Sequence, residues 1–559
     1  MGRHLLRPGG TLLLGLCLCS CVRKGGRVAQ GNHEQVLFLG NGADPGGLDP
    51  QTIIGEPESH IFNALFEGLV SMDPKDLHPI PGVAKSWDLT DDGRTYTFHL
   101  RHDARWSNGD PVTSRDFLDS YHRILQPGLA AQYATMFFDD VQVVGAREYY
   151  EGRLTDFAQV GFAAPDPYTF VVRLRTPASY FLSMLNHNSW YPVHLPTVLK
   201  FGKEDQPNTR WTSVGSFVGN GPFRLKSWSI EKEVVVEKNP TYWGAKDVRL
   251  KEIHYVNTEN IDTEERAFRA GQLHTTYEVP RSKLDLYRRQ APELLQIAPF
   301  LGVYFYRFNL ADPALRDRRV RRALAMAIDR DGIVKNVTRG GEAPAHVYTP
   351  PNPSGYLCQS PVPTDYEGAC RLLAEAGHPG GKDLPPVELL IDNKENHRVV
   401  AEAIQHTWQT ELGVDARIRT EEWKVYLNTM KNGNYSTARS GWIGDYFDPF
   451  SFLSIFRGGN GLNWSGYRSP EYDRLMAAAH EVSTDAERLA TFQRAETLLL
   501  EDAPLAPVYF YTRVYLLQPS VKGWYNNVQD RHMPQFIYLD ENAATEFKKG
   551  PLAAVSGRP

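Results

Sequence analysis

Residues 439–456 read R-S-G-W-I-G-D-Y-F-D-P-F-S-F-L-S-I-F. Working inward from Arg439, the pattern predicts the end of a strand, a turn at Asp448-Pro449, and a second apolar element carrying Phe450, Phe452, Leu453, Ile455 and Phe456. Gly441 and Gly444 let another backbone approach closely, and Trp442 offers a flat apolar surface. Asp445 sets one carboxylate beside both, and Ile443 lies between them. The combination suits an extended peptide: backbone to pair with, a ring to lie on, and an anion for an α-ammonium. An equally open reading makes Asp445 and Asp448 ordinary turn residues that bond their own backbone.

The rest of the chain bounds what this stretch serves. It has 559 residues, 42% hydrophobic and 23% charged, enough for several domains and a core that needs neither disulfide nor metal. With 61 Lys+Arg against 66 Asp+Glu the formal charge is -5, so there is no overall basic field for nucleic acid. The N-terminus has signal-peptide proportions: Arg3 and Arg7 precede an apolar run from Leu12 to Leu18 that is too short to span a bilayer. It ends in Leu18-Cys19-Ser20-Cys21, which resembles the bacterial lipobox and implies lipid on Cys21. Three of the five cysteines lie in this segment; an exported chain then makes a Cys358–Cys370 disulfide the default expectation.

Along the body, residues 22–36 read as a flexible linker. Val36–Leu39 reads as a strand, and Ile61, Leu65 and Leu69 fall at helical spacing. Residues 71–113 read as β-structure with hairpin signals at Asp92-Gly93 and Asn108-Gly109, and Ser114–Ile124 as a helix. Ala314–Ile333 is predicted as one helix with a solvated arginine face, Arg474–Leu500 as mostly helical, and Leu505–Leu517 as a β run. No G-x-S-x-G, H-E-x-x-H or phosphate-cradling glycine loop occurs. Asp445 and Asp448 leave an exported carboxylate-dependent hydrolase as the competing class.

Several motifs, in order, resemble the oligopeptide-binding proteins of bacterial ABC importers, an extracellular solute-binding family. They are L-F-E-G-L at 65–69, P-G-V-A-K-S-W at 81–87, W-S-N-G-D-P-V-T at 106–113, V-R-R-A-L-A-M-A-I-D-R at 320–330, E-W-K at 422–424 and G-W-I-G-D-Y-x-D-P at 441–449. The resemblance implies an α/β, two-lobed periplasmic-binding-protein fold (type II) with an extra inserted domain and the ligand in the cleft between lobes. On this chain the first lobe is expected at 37–66, 195–301 and 526–549, the inserted domain at 67–194, the second lobe at 302–525, and a loose tail at 550–559. The leader would occupy 1–21.

By the same resemblance Asp445 would hold the ligand's α-ammonium, and Gly441 and Ile443 would pair with its backbone. Trp442 and Trp423 would line pockets, and Tyr133 and Tyr525 would stand near the ligand. Arg439 and His397 match cationic positions at the carboxylate end, while Glu56 neighbours Ile54, where the family has an acid. Thr338 and Met430 replace a family lysine and arginine, and Gly302 and Ile443 replace a disulfide. The expected partners are short peptides and an ABC permease with its ATPase subunits. Membrane contact is expected through the lipid anchor only, on a monomer in the periplasm or at the outer face of the membrane. No cofactor, metal or catalytic residue is expected. Dipeptide, murein-peptide or oligosaccharide cargo on the same fold is the alternative.

Overall fold

The computed structural model describes residues 26–543 except 54, 352, 353 and 483. The leader at 1–21 with Cys21, residues 22–25 of the expected linker, Ile54, residues 544–549 of the expected first lobe and the tail at 550–559 lie outside the described residues, so the expectations placed on them do too.

Residues 27–34 are not a flexible linker. Arg27–Glu34 is a helix whose Val28 and Asn32, one turn apart, are both buried. The Val28 N–H donates to the Gly271 carbonyl at 3.0 Å, and Asn32 Oδ1 meets His274 Nε2 at 3.1 Å. Gly26 permits this approach, because a Cβ there would stand 2.6 Å from the Gly271 oxygen. The helix is thereby fixed to the first lobe.

That lobe is built on a four-stranded sheet in the order Val36–Gly40, Glu252–Val256, Glu233–Lys238, Phe223–Ser229, parallel at the first pairing and antiparallel after it. Leu37, Ile253, Val234 and Val236 bury against Ile61 and Leu65 of the Glu56–Leu65 helix. A second four-stranded sheet, Ala84–Leu89, Thr95–Leu100, Thr169–Arg173, Phe162–Asp166, forms a separate aromatic core with the Ser114–Ile124 helix. Thr113 and Asp116 close a capping box at that helix's start, which explains why it begins where the sequence predicts.

The second lobe holds a six-stranded sheet in the order Ala343–Pro344, Leu505–Leu516, Leu295–Phe308, Thr437–Ile443, Val387–Asp392, Ala416–Glu421. Its two long strands, Leu295–Phe308 and Leu505–Leu516, run antiparallel and carry the chain between the lobes. Val303, Phe305 and Val508 sit in the second-lobe core, whereas Leu294, Val514 and Leu516 pack with Phe268 and Leu273. Val521 buries in the first-lobe core as well. The expected boundary at 525 is therefore corrected: the returning strand hands over near Val514, because its apolar residues from there on face the first lobe.

Two further expectations change. The stretch 314–333 breaks, since Asp317 caps a helix at Arg318–Met326 and Asp329 starts a new turn by accepting the Gly332 N–H at 2.9 Å. Its arginines do not all face water: Arg321 is buried on the carbonyls of Leu315, Arg316, Asp502 and Ala503. Arg330 is buried on those of Ala325, Ala345 and Pro507. Residues 474–500 are mostly helical as expected, in two helices, Pro470–Ala478 and Asp485–Asp502. Finally, Cys358 and Cys370 are free thiols. Cys358 Sγ accepts from Gln493 and Cys370 Sγ donates to the Glu411 carbonyl, so the two face different helices. No helix among the described residues is long and apolar enough to cross a membrane.

Candidate functional site: the cleft around Asp445

Thr437–Ile443 lies inside the second-lobe sheet only at its start. Thr437 and Ala438 pair with Leu389 and Leu390 on one side. From Arg439 onward the strand pairs with residues 302–306 alone. Its other edge has no strand partner among the described residues; there the Tyr426 hydroxyl donates to the Arg439 carbonyl. An edge of this kind accepts an added extended chain. The half-buried Trp442 is locked beside it by a hydrogen bond from Nε1 to the Ser451 carbonyl at 2.6 Å. Gly441 makes room for the protein's own Tyr511, whose hydroxyl would stand 2.5 Å from an added Cβ.

Asp445 follows at the strand's end. Its backbone N–H donates to Ser451 Oγ at 2.9 Å, and Gln529 Nε2 donates to its carbonyl at 3.1 Å, so the backbone is held while the carboxylate is left over. The carboxylate faces the inserted domain: His187 Nε2 is 3.6 Å from Oδ1, and the His187 ring sits edge-on to Tyr133 with centroids 4.3 Å apart. Burial pushes the Asp445 carboxyl up to about 7, against the pull of the Arg531 charge and the Tyr133 hydroxyl. Among the described residues, no lysine or arginine nitrogen forms an ion pair with it. Asp448 is different. Its carboxylate is spent on Arg488, whose Nη2 donates at 2.8 Å, and on the Phe450 N–H at 2.9 Å. It is a structural turn residue, as the plainer reading had it.

The structure brings Arg439 and His397 together around Tyr304. Arg439 Nη2 donates to the Tyr511 hydroxyl at 2.8 Å and its guanidinium lies 5.0 Å from the Tyr304 ring, with the His397 ring 5.7 Å from that same ring. His397 was expected as a cation. Burial and the Arg439 charge push its pKa down to about 4 instead, and its Nδ1 hydrogen-bonds Asp392. Asp392 is held at about 2, because His397 and Arg439 outweigh the cost of its burial. Glu56 is engaged: Arg513 Nη1 stands 3.4 Å from it while Arg513 Nε pairs with Asp530 at 2.6 Å. The same guanidinium tells against a metal between Glu56, His60 and Asp530, although their ligand atoms lie within 4.8 Å of one another. Trp423 is 45% exposed and stacks on Tyr426 at 5.5 Å. Tyr525 is exposed with Lys75 over its ring at 5.4 Å, and no hydrogen bond or ring contact joins it to Asp445.

At the places where the chain departs from the family pattern, Thr338 Oγ1 donates to Glu342 at 2.9 Å and Met430 is buried against Tyr426 and Leu390. Gly302 pairs with Ile443, and a Cβ on Gly302 would meet Ile443 Cδ1 at 2.6 Å. Sequence reasoning missed His187, Gln529, Arg531, Asp392, Tyr304 and Tyr511. They come from segments distant in the chain and carry no local motif.

Two lobes crossed by two strands, with an inserted third sheet and a polar cleft between them, define a periplasmic-binding-protein architecture. The pattern of the family described as "Bacterial extracellular solute-binding proteins, family 5 Middle" matches residues 78–464. The periplasmic oligopeptide-binding protein OppA of Escherichia coli is 36% identical over 88% of this chain and 90% of its own length. The crystal structure of Haemophilus influenzae OppA in complex with the peptide RPPGFSPFR superposes with a TM-score of 0.83 at 32% identity, covering 90% of this chain and 99% of that one. The E. coli murein tripeptide-binding protein MppA gives a TM-score of 0.84 at 31% identity, over 90% and 98%. The unliganded open form of MppA gives 0.68 over 90% and 97%, so the lobes here stand closer to the first MppA arrangement than to the open one. The chain belongs to the family 5 extracellular solute-binding proteins. It is a solute-binding protein and not an enzyme.

Proposed function

We propose that this protein captures short peptides outside the cytoplasm and delivers them to an ABC permease and its ATPase subunits for import. The observation that carries the reading is Asp445: a partly buried carboxylate between domains, its side chain 17% exposed and short of a cation, at the end of a strand whose edge is open. A peptide with a free N-terminus satisfies both, its ammonium pairing Asp445 and its backbone extending the sheet. Gly441 and Ile443 then supply backbone groups, and Trp442, Trp423 and Tyr133 line side-chain pockets. Arg439 meets the carboxylate end, with Tyr525 and Glu56 at the margins.

The lobes act as the two jaws and the inserted domain, about 67–194, closes over the N-terminal end. The protein works as a monomer, held in the periplasm or at the outer face of the membrane by lipid on Cys21. The relatives named for oligopeptides and for a murein tripeptide both support peptide cargo.

Native mass spectrometry of the purified mature chain tests this. A ladder of short peptides of mixed sequence with free N-termini is expected. One defined non-peptide mass, or no peptide after peptides are supplied, overturns the cargo while leaving the family membership standing.

A further inference from the structure

His187 comes from the inserted domain and is not among the residues that the family motifs point to. It caps the short turn Asn188–Trp190, its Nδ1 accepting the Ser189 N–H at 3.3 Å and meeting Ser189 Oγ at 2.9 Å. A ring nitrogen that accepts a backbone N–H carries no proton, so the proton of the neutral ring is on Nε2. Nε2 is the atom that stands 3.6 Å from Asp445 Oδ1. The side chain is 5% exposed, wedged against Tyr133, with no room to turn the ring over without losing the cap.

The surroundings keep this imidazole uncharged. Burial is the larger cause and the Arg531 charge adds to it, together pushing His187 down to about 3. Arg531 itself does not reach Asp445: its Nη1 is fixed on the Asn186 carbonyl at 2.7 Å, one residue before His187. Asp445 therefore faces a ring N–H at 3.6 Å, just outside hydrogen-bond distance in the ligand-free chain, with the Tyr133 hydroxyl beside it and a guanidinium fixed elsewhere. The positive charge its carboxylate calls for is left to the guest.

Resting on the peptide reading above, we infer that His187 is a specificity-determining positioning residue. It is a neutral donor that aims the Asp445 carboxylate while reserving that charge for the cationic N-terminus of the cargo. A cation at position 187 would satisfy Asp445 from within and erase the requirement for a free ammonium.

The experiment compares trialanine with N-acetyl-trialanine by calorimetry at pH 7 on the full mature chain, for wild type, H187Q and H187K. Wild type is expected to prefer the free N-terminus by roughly 10²–10⁴-fold, the range for losing one partner of a buried charge pair. H187Q, which keeps a neutral donor, should hold that ratio within about threefold, and H187K should bring it below about tenfold. A H187K protein that keeps the wild-type ratio overturns the inference. A second readout needs no substitution: ¹⁵N-edited histidine spectra of wild type should show His187 as the neutral Nε2–H tautomer from pH 5 to pH 8. An imidazolium, or a proton on Nδ1, overturns it even where H187K fails to fold. If trialanine does not bind wild type at all, the peptide reading is what fails, and the tautomer measurement still decides the role of His187.

Discussion

The Tyr446 hydroxyl donates to Asp140 Oδ2 at 2.9 Å and its ring stacks on Tyr180 at 5.2 Å, so a second-lobe residue lies within the core of the inserted domain. Tyr446 is 1% exposed and is the residue after Asp445. Removing its hydroxyl leaves a buried Asp140 oxygen short of its donor, a loss of about 1–3 kcal/mol. Tyr446→Phe is expected to shift the ligand-free chain toward a more open arrangement, seen as a larger radius of gyration in small-angle scattering. Saturating peptide should restore the wild-type value.

Asp445→Ala is expected to weaken peptide binding by two to four decades, the scale of about 3–5 kcal/mol for one side of a buried charge pair. Calorimetry checks the affinity and circular dichroism the fold. A dissociation constant equal to wild type would remove Asp445 from the site.

The pH dependence has a definite sign. The Asp445 carboxyl titrates near 7 in the folded, ligand-free chain against an ordinary 3.8. Between those values the unfolded chain has released the proton and the folded chain still holds it, so this group makes the ligand-free protein less stable as pH rises from 4 to 7. The whole loss, on the order of a few kcal/mol, is present above 7. A bound ammonium removes it. The rise in Tm on adding peptide is therefore expected to grow from pH 5 to pH 8, and Asp445→Asn should abolish that growth.

Asp448 and Arg488 make a pair that is 4% and 10% exposed in its side chains. Arg488→Met leaves Asp448 buried without its cation and is expected to cost about 3–5 kcal/mol of stability. Chemical denaturation should separate it from Asp445→Asn, which removes an unpaired charge and is expected not to destabilise at pH 7.

Cys358 is buried and Cys370 partly exposed. Maleimide labelling of the mature chain is expected to modify Cys370 in the native state and both residues after unfolding, and a reductant should leave Tm unchanged.

The strand and turn that carry the candidate site were legible because they are contiguous. G-W-I-G-D holds its strand pattern, its glycines and its acid within five residues, and the strand ends at Ile443 with a short apolar helix following at Phe450–Leu453. The Ser114–Ile124 helix was legible for the same reason, having its cap and its apolar face together. What failed was long-range. Nothing near Val28 announces Gly271, so a docked helix read as a spacer. Nothing near Arg330 announces the carbonyls of Ala345 and Pro507, which turn a charged residue into an interior one. The state of His397 was not legible either, because burial and the charge of Arg439, which is distant in the chain, push it down to about 4. The thiols failed because closeness along the chain does not make two side chains face each other.

The helix at Arg27–Glu34, pinned to the first lobe through Gly271, also sets what stays still when the cleft works. On the proposal that lipid sits on Cys21, this contact would make the first lobe the moored half and leave the second lobe as the half free to swing. A membrane partner would then meet capture and release as a change in the pose of the untethered half.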